Sequence, residues 1–399
     1  MMDVVRLFLG WTGLIGLGLL AMPGLFALVM RLRGPRPRAA VPHPDGEPRL
    51  VFLVPAHNER LLIRQCVRSL LDQDYPADRR RVVVIADNCS DETAAIARAE
   101  GAEALERTDL EQRGKPRALA WAIAQLGYEG VDAIVIVDAD SEVAPDYAAR
   151  LARYGDVRGG AIQTYFGISN EYETWLTRLA GLLMRLRYEH QFPAKSRAGL
   201  NVPLTGNGMV LGSELLKRRP WAAFSVTEDW ELYAEYTALG ETIAFIPGAR
   251  LVSQEARSTA QSTTQRQRWQ AGRREVRLRW GPAIRASRDI TSFQKVDAHL
   301  ELYWPSPAVH FALVLVCAAA AALGGAPLPV QLLAIAAATG EMILGLAAII
   351  ARHPQPIATL MALARAPGYT LWRLGVGVRA RLSRRARDEW VRTARHQHR

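Results

Sequence analysis

Three stretches of the chain are apolar for long enough to matter to a membrane. Residues 7–30 are 24 consecutive positions without a charge, and at about 1.5 Å per helical residue they cross a bilayer core of about 30 Å. Residues 303–323 and 328–350 lie near the other end, joined by the turn-rich residues 324–327, and read as a hairpin of two further spans. Between these stretches the pattern changes. Short apolar runs at 50–54, 81–86 and 133–137 alternate with helical spacing at 61–71, Ala-rich residues at 92–99 and a helical pattern at 115–126. Buried strands alternating with helices predict a mostly parallel sheet covered by helices, so the expected fold class is α/β plus about three transmembrane helices.

Charge sharpens this layout. The 399 residues hold 50 Lys plus Arg against 39 Asp plus Glu, a net +11, and with 49% hydrophobic residues the chain is not a disordered one. Arg31, Arg33, Arg36 and Arg38 follow the first span, and 11 arginines against Asp388 and Glu389 follow the third, which leaves the body between them close to neutral. A nucleic-acid binder would carry its basic excess on the body, so no nucleic-acid partner is expected. A cleaved signal peptide would have a shorter apolar core behind its basic residues, not ahead of them. By the positive-inside rule, both basic segments and the domain between the spans lie in the cytosol, against a plasma (inner) membrane. The expected division is a first span at 1–32, a Pro-rich linker at 33–48, a cytosolic domain at 49–282, an interfacial connector at 283–302, two spans at 303–351 and a basic amphipathic tail at 352–399. Trp372, Leu374, Val378 and Trp390 give that tail an apolar side suited to anionic lipid, with a merely solvated tail as the alternative. Glu341 stands inside the third span, where a charge is either functional or paired with another helix. Cys66, Cys89 and Cys317 are too few and too scattered for a disulfide framework or a zinc site.

In open α/β sheets ligands gather beyond the carboxyl ends of the strands. There the sequence offers Pro55 to Glu59, then Asp87 to Asp91, then Asp138, Ala139 and Asp140. No Gly-x-Gly-x-x-Gly follows the first strand and no Gly-x-x-x-x-Gly-Lys-Ser/Thr occurs, which excludes the usual dinucleotide and P-loop sites. Asp138 and Asp140 supply hard oxygen ligands of the kind Mg²⁺ or Mn²⁺ takes together with a diphosphate, though such a pair also serves a surface turn. In Thr227-Glu228-Asp229-Trp230 the threonine reads as a helix cap with acids in the first turn, and a carboxylate there could equally accept a proton from a hydroxyl. Gln265, Arg268 and Trp269, at i, i+3 and i+4, share one helical face; an arginine forks onto phosphate and an indole covers a sugar ring.

These motifs, in this order and flanked by spans, resemble the membrane-bound branch of family 2 glycosyltransferases with the GT-A fold, which includes cellulose, chitin and hyaluronan synthases and ceramide glucosyltransferase. The resemblance covers about residues 48–282. It implies an inverting, metal-dependent hexosyltransferase that takes a sugar from a nucleotide-sugar donor, a UDP-sugar, to a lipid-linked or polysaccharide acceptor and forms a β-glycosidic bond. It also implies Asp229 as the catalytic base and Asp140 as ligand to Mg²⁺ or Mn²⁺. Donor contacts are implied at Glu59, Asp87, Lys115, Asp138 and Arg268, and acceptor contacts at Gly206, Asn207, Gly208, Glu228, Gln265 and Trp269. His57 stands where a tyrosine is frequent in the family. Three spans are fewer than surround a polymer channel in the synthases, so a glycolipid or lipid-linked oligosaccharide is a serious acceptor, and a homo-oligomer or a polysaccharide-assembly partner could complete a channel. The alternative from another class is a non-catalytic membrane scaffold that keeps the nucleotide-binding fold. Residues 171–192 read either as an amphipathic helix on membrane lipid or as a helix packed on the sheet.

Overall fold

The structure, a computed structural model, describes residues 2–34 and 46–382. Arg36 and Arg38, most of the linker, Trp390 and the rest of the basic tail lie outside the described residues.

Eight strands form one mixed sheet in the order β3-β2-β1-β4-β7-β6-β8-β5. They are β1 (Leu50–Ala56), β2 (Arg80–Asp87), β3 (Glu103–Arg107), β4 (Ala133–Ile136), β5 (Ser141–Val143), β6 (Ala161–Ile168), β7 (Met209–Gly212) and β8 (Ile243–Ser253). Strands β3, β2, β1 and β4 run parallel, with Leu53 opposite both Val83 and Ile136. The apolar runs of β1, β2 and β4 are buried on both faces, as a helix-covered parallel sheet requires. Alternation then divides the core in two. Val51, Leu53, Val83 and Ile136 pack with the helices Lys115–Leu126 and Glu228–Ala238. Phe52, Val54, Val84 and Val135 pack with the helices Ile63–Leu71 and Tyr147–Ala152 on the other side. Antiparallel β7 then inserts between β4 and β6, carrying the turn at 204–208 to the same edge where Asp138 emerges.

Among the described residues two helices are long and apolar enough to cross a membrane, Asp3–Leu32 and Leu328–Ala351, and a third if the bent pair Ser292–Tyr303 and Pro307–Leu323 counts as one span. The two members of that pair meet at 90°. The apolar run expected from residue 303 therefore begins as a helix only at Pro307, where Pro305 and Pro307 break the helix that precedes it. Small residues let the spans approach closely. Gly10, Gly13 and Gly16 abut Gly324, Ala321 and Cys317 of the second span, and Gly24 abuts Ala337 of the third.

Glu341 is paired with another helix. Its carboxylate accepts from Arg31 at 2.9 Å and lies 3.1 Å from His190 Nε2, tying the first and third spans to the domain. Residues 171–192 are not one helix: Trp175–Arg185 is α-helical, Leu186–Gln191 a π-turn, and Phe192 starts a further helix. Most of its apolar side chains are buried within the protein, on an apolar helix at one end and in the sheet core at the other. Leu182 and Leu186 pack on Leu346 and Ile349 of the third span, whereas Tyr188 and Phe192 enter the sheet core. The tail is not simply solvated in its described part. Its helix Ala366–Leu382 leaves Leu371 and Leu374 exposed but packs Trp372 on the long helix Thr259–Ala286, where Trp372 Nε1 donates to Thr263 Oγ1 at 3.3 Å. That long helix also runs past residue 282, the expected end of the domain.

The glycine contacts predict a contrast. Gly13→Leu should overpack the first and second spans and cost about 1–3 kcal/mol, seen as a lowered thermal midpoint of the detergent-solubilised protein. Gly18→Leu, with nothing within 4 Å of its added Cβ, should leave the midpoint unchanged. Equal effects of the two would show that the spans do not pack through this glycine face.

Candidate active site

The parallel strands end where the expected chemistry lies. Beyond β1, Asn58 turns back with φ 56° and Glu59 is fixed by its N–H, which donates to Thr93 Oγ1 at 2.8 Å. At the end of β2, Asp87 is buried, and its Oδ1 accepts from Arg107 at 2.6 Å and from Asn88 Nδ2 at 3.1 Å. His57 Nδ1 donates to the Asp87 carbonyl at 2.7 Å, which joins the first loop to the second. Arg107 lies on edge strand β3, a strand the sequence reading missed because its outward residues are charged: Glu103 pairs with Arg81 and Glu106 with Arg98.

At the centre is Lys115, the first residue of its helix, presented by Gly114 at φ 107°. Its Nζ donates to Asp138 Oδ1 at 2.6 Å and to the Gly206 carbonyl at 2.7 Å, and lies 3.4 Å from Glu228 Oε1. Burial works to lower the pKa of this ammonium, but Asp138 and Glu228 outweigh it and hold it above its ordinary value. Asp229 joins the group through Gly206, where a side-chain Cβ would stand 3.4 Å from Asp229 Oδ2 and 3.7 Å from Lys115 Nζ. Gly206 and Gly208 have φ of 80° and 67°, which favour glycine; the absent side chain at Gly206 leaves space beside the Asp229 carboxylate, and that at Gly208 lets the turn pack on Thr164 and Leu251. Between them, Asn207 is buried with its amide spent inside the protein. Its Oδ1 accepts from the Asp138 N–H at 3.1 Å, and its Nδ2 donates to Ser141 Oγ at 2.8 Å. The side chain of Asn207 thus clamps the carboxylate loop, and Gly206 is the glycine of the turn that faces Asp229 and Lys115.

Glu228 and Asp229 open the helix Glu228–Ala238, but Thr227 does not cap it as expected. Among the described residues the buried Thr227 hydroxyl has no hydrogen-bond partner, and it is pressed against Gly272 of the long helix. Asp229 Oδ1 instead accepts from the Trp230 N–H at 2.8 Å. Burial raises both carboxyls: Glu228 is pushed up to about 7, and Asp229 rises as well, with the Trp230 N–H, Lys115 and Arg273 opposing the shift. An acid raised in this way is a better proton acceptor once ionised.

Asp138 and Asp140 are the residues that could hold a divalent ion. Two carboxylate-bearing residues at a strand end, one of them already charge-paired, fit a site completed by substrate phosphates, which is how Mg²⁺ is commonly held. Among the described residues no group of three or more His, Cys, Asp or Glu is arranged as a self-sufficient metal cage. Gln265, Arg268 and Trp269 sit on the long helix within two turns of Gly272, its contact with Thr227. Among the described residues no hydrogen bond or ion pair joins them to Lys115, Asp138 or Glu228. Trp269 is 40% exposed, and Arg268 Nε is buried without a partner, with burial lowering the pKa of that guanidinium. The sequence reading also missed Arg273, whose guanidinium lies 3.9 Å from the Trp230 ring centroid next to Asp229. Its signal was present as a repeat of Thr259, Thr263, Arg266, Gln270 and Arg273 at spacings of four and three, one face of a helix.

Comparison with known proteins gives the family and the fold. A profile described as glycosyltransferase like family 2 matches residues 48–272. Probable glycosyltransferase YdaM of Bacillus subtilis (strain 168) is 29% identical over 252 residues, which are 58% of this chain and 57% of that protein. Beta-monoglucosyldiacylglycerol synthase of Synechocystis sp. (strain ATCC 27184 / PCC 6803 / Kazusa) is 30% identical over 226 residues, 53% of this chain and 46% of that protein. The chain spans about half the length of these curated relatives. In fold it is similar to mannosyltransferase PcManGT from Pyrobaculum calidifontis, solved in complex with GDP-Man and Mn²⁺, with a TM-score of 0.60 at 20% identity over 95% of this chain and 99% of that one.

The Arg107–Asp87 pair is almost wholly buried, at 6% and 10% side-chain exposure. Arg107→Met should therefore cost about 3 kcal/mol or more, by stranding Asp87. Arg98→Met, which breaks the exposed pair with Glu106, should cost under about 1 kcal/mol. Chemical denaturation of the two variants measures both, and equal small losses would mean that Arg107 does not hold Asp87.

Proposed function

Because the chain belongs to glycosyltransferase family 2, we propose that it is an inverting, metal-dependent transferase that moves a sugar from a UDP-sugar to a lipid-linked or polysaccharide acceptor at the cytosolic face of the inner membrane. The observation that carries this reading is the meeting of Lys115, Asp138, Glu228 and Asp229 at the carboxyl edge of the parallel strands. Two or three apolar helices and the name of the glycolipid-forming relative support a membrane-lipid acceptor.

Asp229 is the base in this reading. Its carboxylate takes the proton from an acceptor hydroxyl. The hydroxyl oxygen forms a bond to the anomeric carbon as the bond from that carbon to the donor diphosphate breaks, so a single displacement turns an α-linked donor into a β-linked product. Gly206 leaves room for the acceptor beside Asp229 and Gly208 shapes the turn behind it, with Glu228, Gln265 and Trp269 along the acceptor's path. Glu59 and Asp87 face the nucleoside end of the donor, while Lys115 and Arg268 bring cationic donors to its diphosphate. Asp138 and Asp140 would hold a divalent ion, which when bound supplies positive charge to the departing diphosphate.

Asp229→Asn should lower transfer by several orders of magnitude, on the scale expected for loss of an essential base, and should keep UDP binding within about threefold, since less than 1 kcal/mol of donor contact is lost. Loss of UDP binding together with transfer would refute the base assignment. Because burial raises Glu228 to about 7 and raises Asp229 too, protonation as pH falls should silence the base early. The acidic limb of kcat should lie above the ordinary carboxylate range. A limb at the pKa of a free carboxylate would contradict the buried pair.

A further inference from the structure

The helix that begins at Trp175 widens at Leu186–Gln191 into a π-turn before Phe192 resumes the α-helix. Such turns are rare inside helices and frequently stand at functional sites. Residues 188–190 of this one make separate contacts. His190 meets Glu341 of the third span and Arg31 of the first. Glu189 accepts from the Tyr165 hydroxyl at 2.8 Å and from Arg185 at 3.1 Å. Tyr188 enters the domain and is 1% exposed. Its ring lies 4.8 Å from Phe192, 5.5 Å from Tyr165 and 6.0 Å from Phe245, centroid to centroid, and its hydroxyl is 2.6 Å from Thr205 Oγ1.

Thr205 precedes Gly206, whose carbonyl accepts from Lys115 and whose bare α-carbon faces Asp229. The backbone of that turn is bound largely from β6. Gln163 accepts from the Thr205 N–H at 2.9 Å and donates to the Asn207 carbonyl at 2.8 Å. Thr164 donates to the Gly208 carbonyl twice, from its N–H at 3.0 Å and from its hydroxyl at 2.9 Å. The Thr205 side chain is held instead by the π-turn, through Tyr188. A phenylalanine would fill the same aromatic space, so the hydroxyl is what distinguishes the residue there, and a buried hydroxyl is costly unless it is paired. Burial raises the pKa of this phenol, so at neutral pH it stays protonated and serves as a hydrogen-bonding group, not as a base.

We propose that Tyr188 is a positioning residue for sugar transfer: by holding Thr205 it fixes the Gly206 carbonyl against Lys115 and keeps the space beside Asp229 in which the acceptor hydroxyl lies. This rests on the transferase reading and adds to its site a residue from the helix that packs on the third span. Tyr188 acts through Thr205 and Gly206 and touches no substrate. Transfer is sensitive to such a contact, since a misplacement of about 1 Å costs up to about a hundredfold in rate. Nucleotide affinity is less so, because Glu59 and Asp87 stand at the ends of other strands.

Membranes carrying the full chain, given an equal mixture of radiolabelled UDP-glucose, UDP-galactose and UDP-N-acetylglucosamine at saturation, test this by the label entering lipid or polymer per protein. UDP binding and amide hydrogen exchange are measured on the detergent-solubilised protein. Tyr188→Phe should lower transfer roughly tenfold or more while keeping UDP affinity within about threefold. It should also speed exchange at residues 203–209 by roughly threefold or more, the effect of one lost hydrogen bond, and leave β1 unchanged. Thr205→Val should match it, and the double variant should lose no more than either single one, because both remove the same contact. Thr205→Ser, which keeps the hydroxyl, should transfer as the wild type does. Tyr165→Phe removes a second buried phenol hydroxyl that meets the same π-turn, and should leave transfer unchanged. Unchanged transfer in Tyr188→Phe, losses that multiply in the double variant, or an equal loss in Tyr165→Phe overturns the proposal and leaves the transferase reading standing. A wild type that transfers none of the three sugars would count against that reading, and exchange would then decide alone: faster exchange at 203–209 in Tyr188→Phe upholds the hold of Tyr188 on the turn, and unchanged exchange overturns it.

Discussion

One ammonium holds the chemistry of this protein together. Lys115 meets a carboxylate from the end of β4, a carbonyl from the turn before β7 and a carboxylate from the first turn of the helix Glu228–Ala238. Those three segments are far apart in sequence and come together only because the sheet places β4 beside β7. Without a cation at that point, Asp138, Glu228 and Asp229 would be like charges crowded in a desolvated space, and they could not all ionise. With it, the burial of Glu228 and Asp229 still leaves them with raised affinities for a proton, the property a base needs near neutral pH. Gly114 and Gly206, both at positive φ, let the lysine and the turn come this close.

The same site is held at a fixed place relative to the apolar helices, and by polar contacts as much as by apolar ones. Arg31, His190 and Glu341 form one tie. Buried Glu171 forms another, accepting from Arg185 at 2.9 Å and lying 3.1 Å from His353 Nε2, just past the end of the third apolar helix. The long helix Thr259–Ala286 is the part shared by both regions. Its Gly272 touches the segment that carries Asp229, and its Thr263 touches Trp372.

Much of this was legible in the sequence because it depends on patterns with a fixed period. Strands β1, β2 and β4 are continuous apolar runs, and the acids that follow them stand at strand ends by position alone. Edge strand β3 was not legible, since its alternating charges look like loop, and Arg107 went unseen with it. The spans were located by apolar length, but the break at Pro305 and Pro307 and the π-turn at Leu186–Gln191 depend on how the domain meets them. Asn207 was an acceptor contact only as the family resemblance implied it. Only the fold shows that its amide is taken up by Asp138 and Ser141. Thr227 had the sequence of a cap, yet close packing at Gly272 turned its hydroxyl away from the helix end. Local propensity lost in each case to a tertiary contact.

The central claim is a single displacement at the anomeric carbon with Asp229 as the base and no covalent sugar on the protein. Proton NMR of the product formed from an α-linked UDP-sugar, taken before any anomer can equilibrate, tests it most directly. A β-linked product is predicted. An α-linked product would contradict the account, because retention needs either a second nucleophile or attack from the face of the departing diphosphate, and neither is compatible with Asp229 acting only as a proton acceptor.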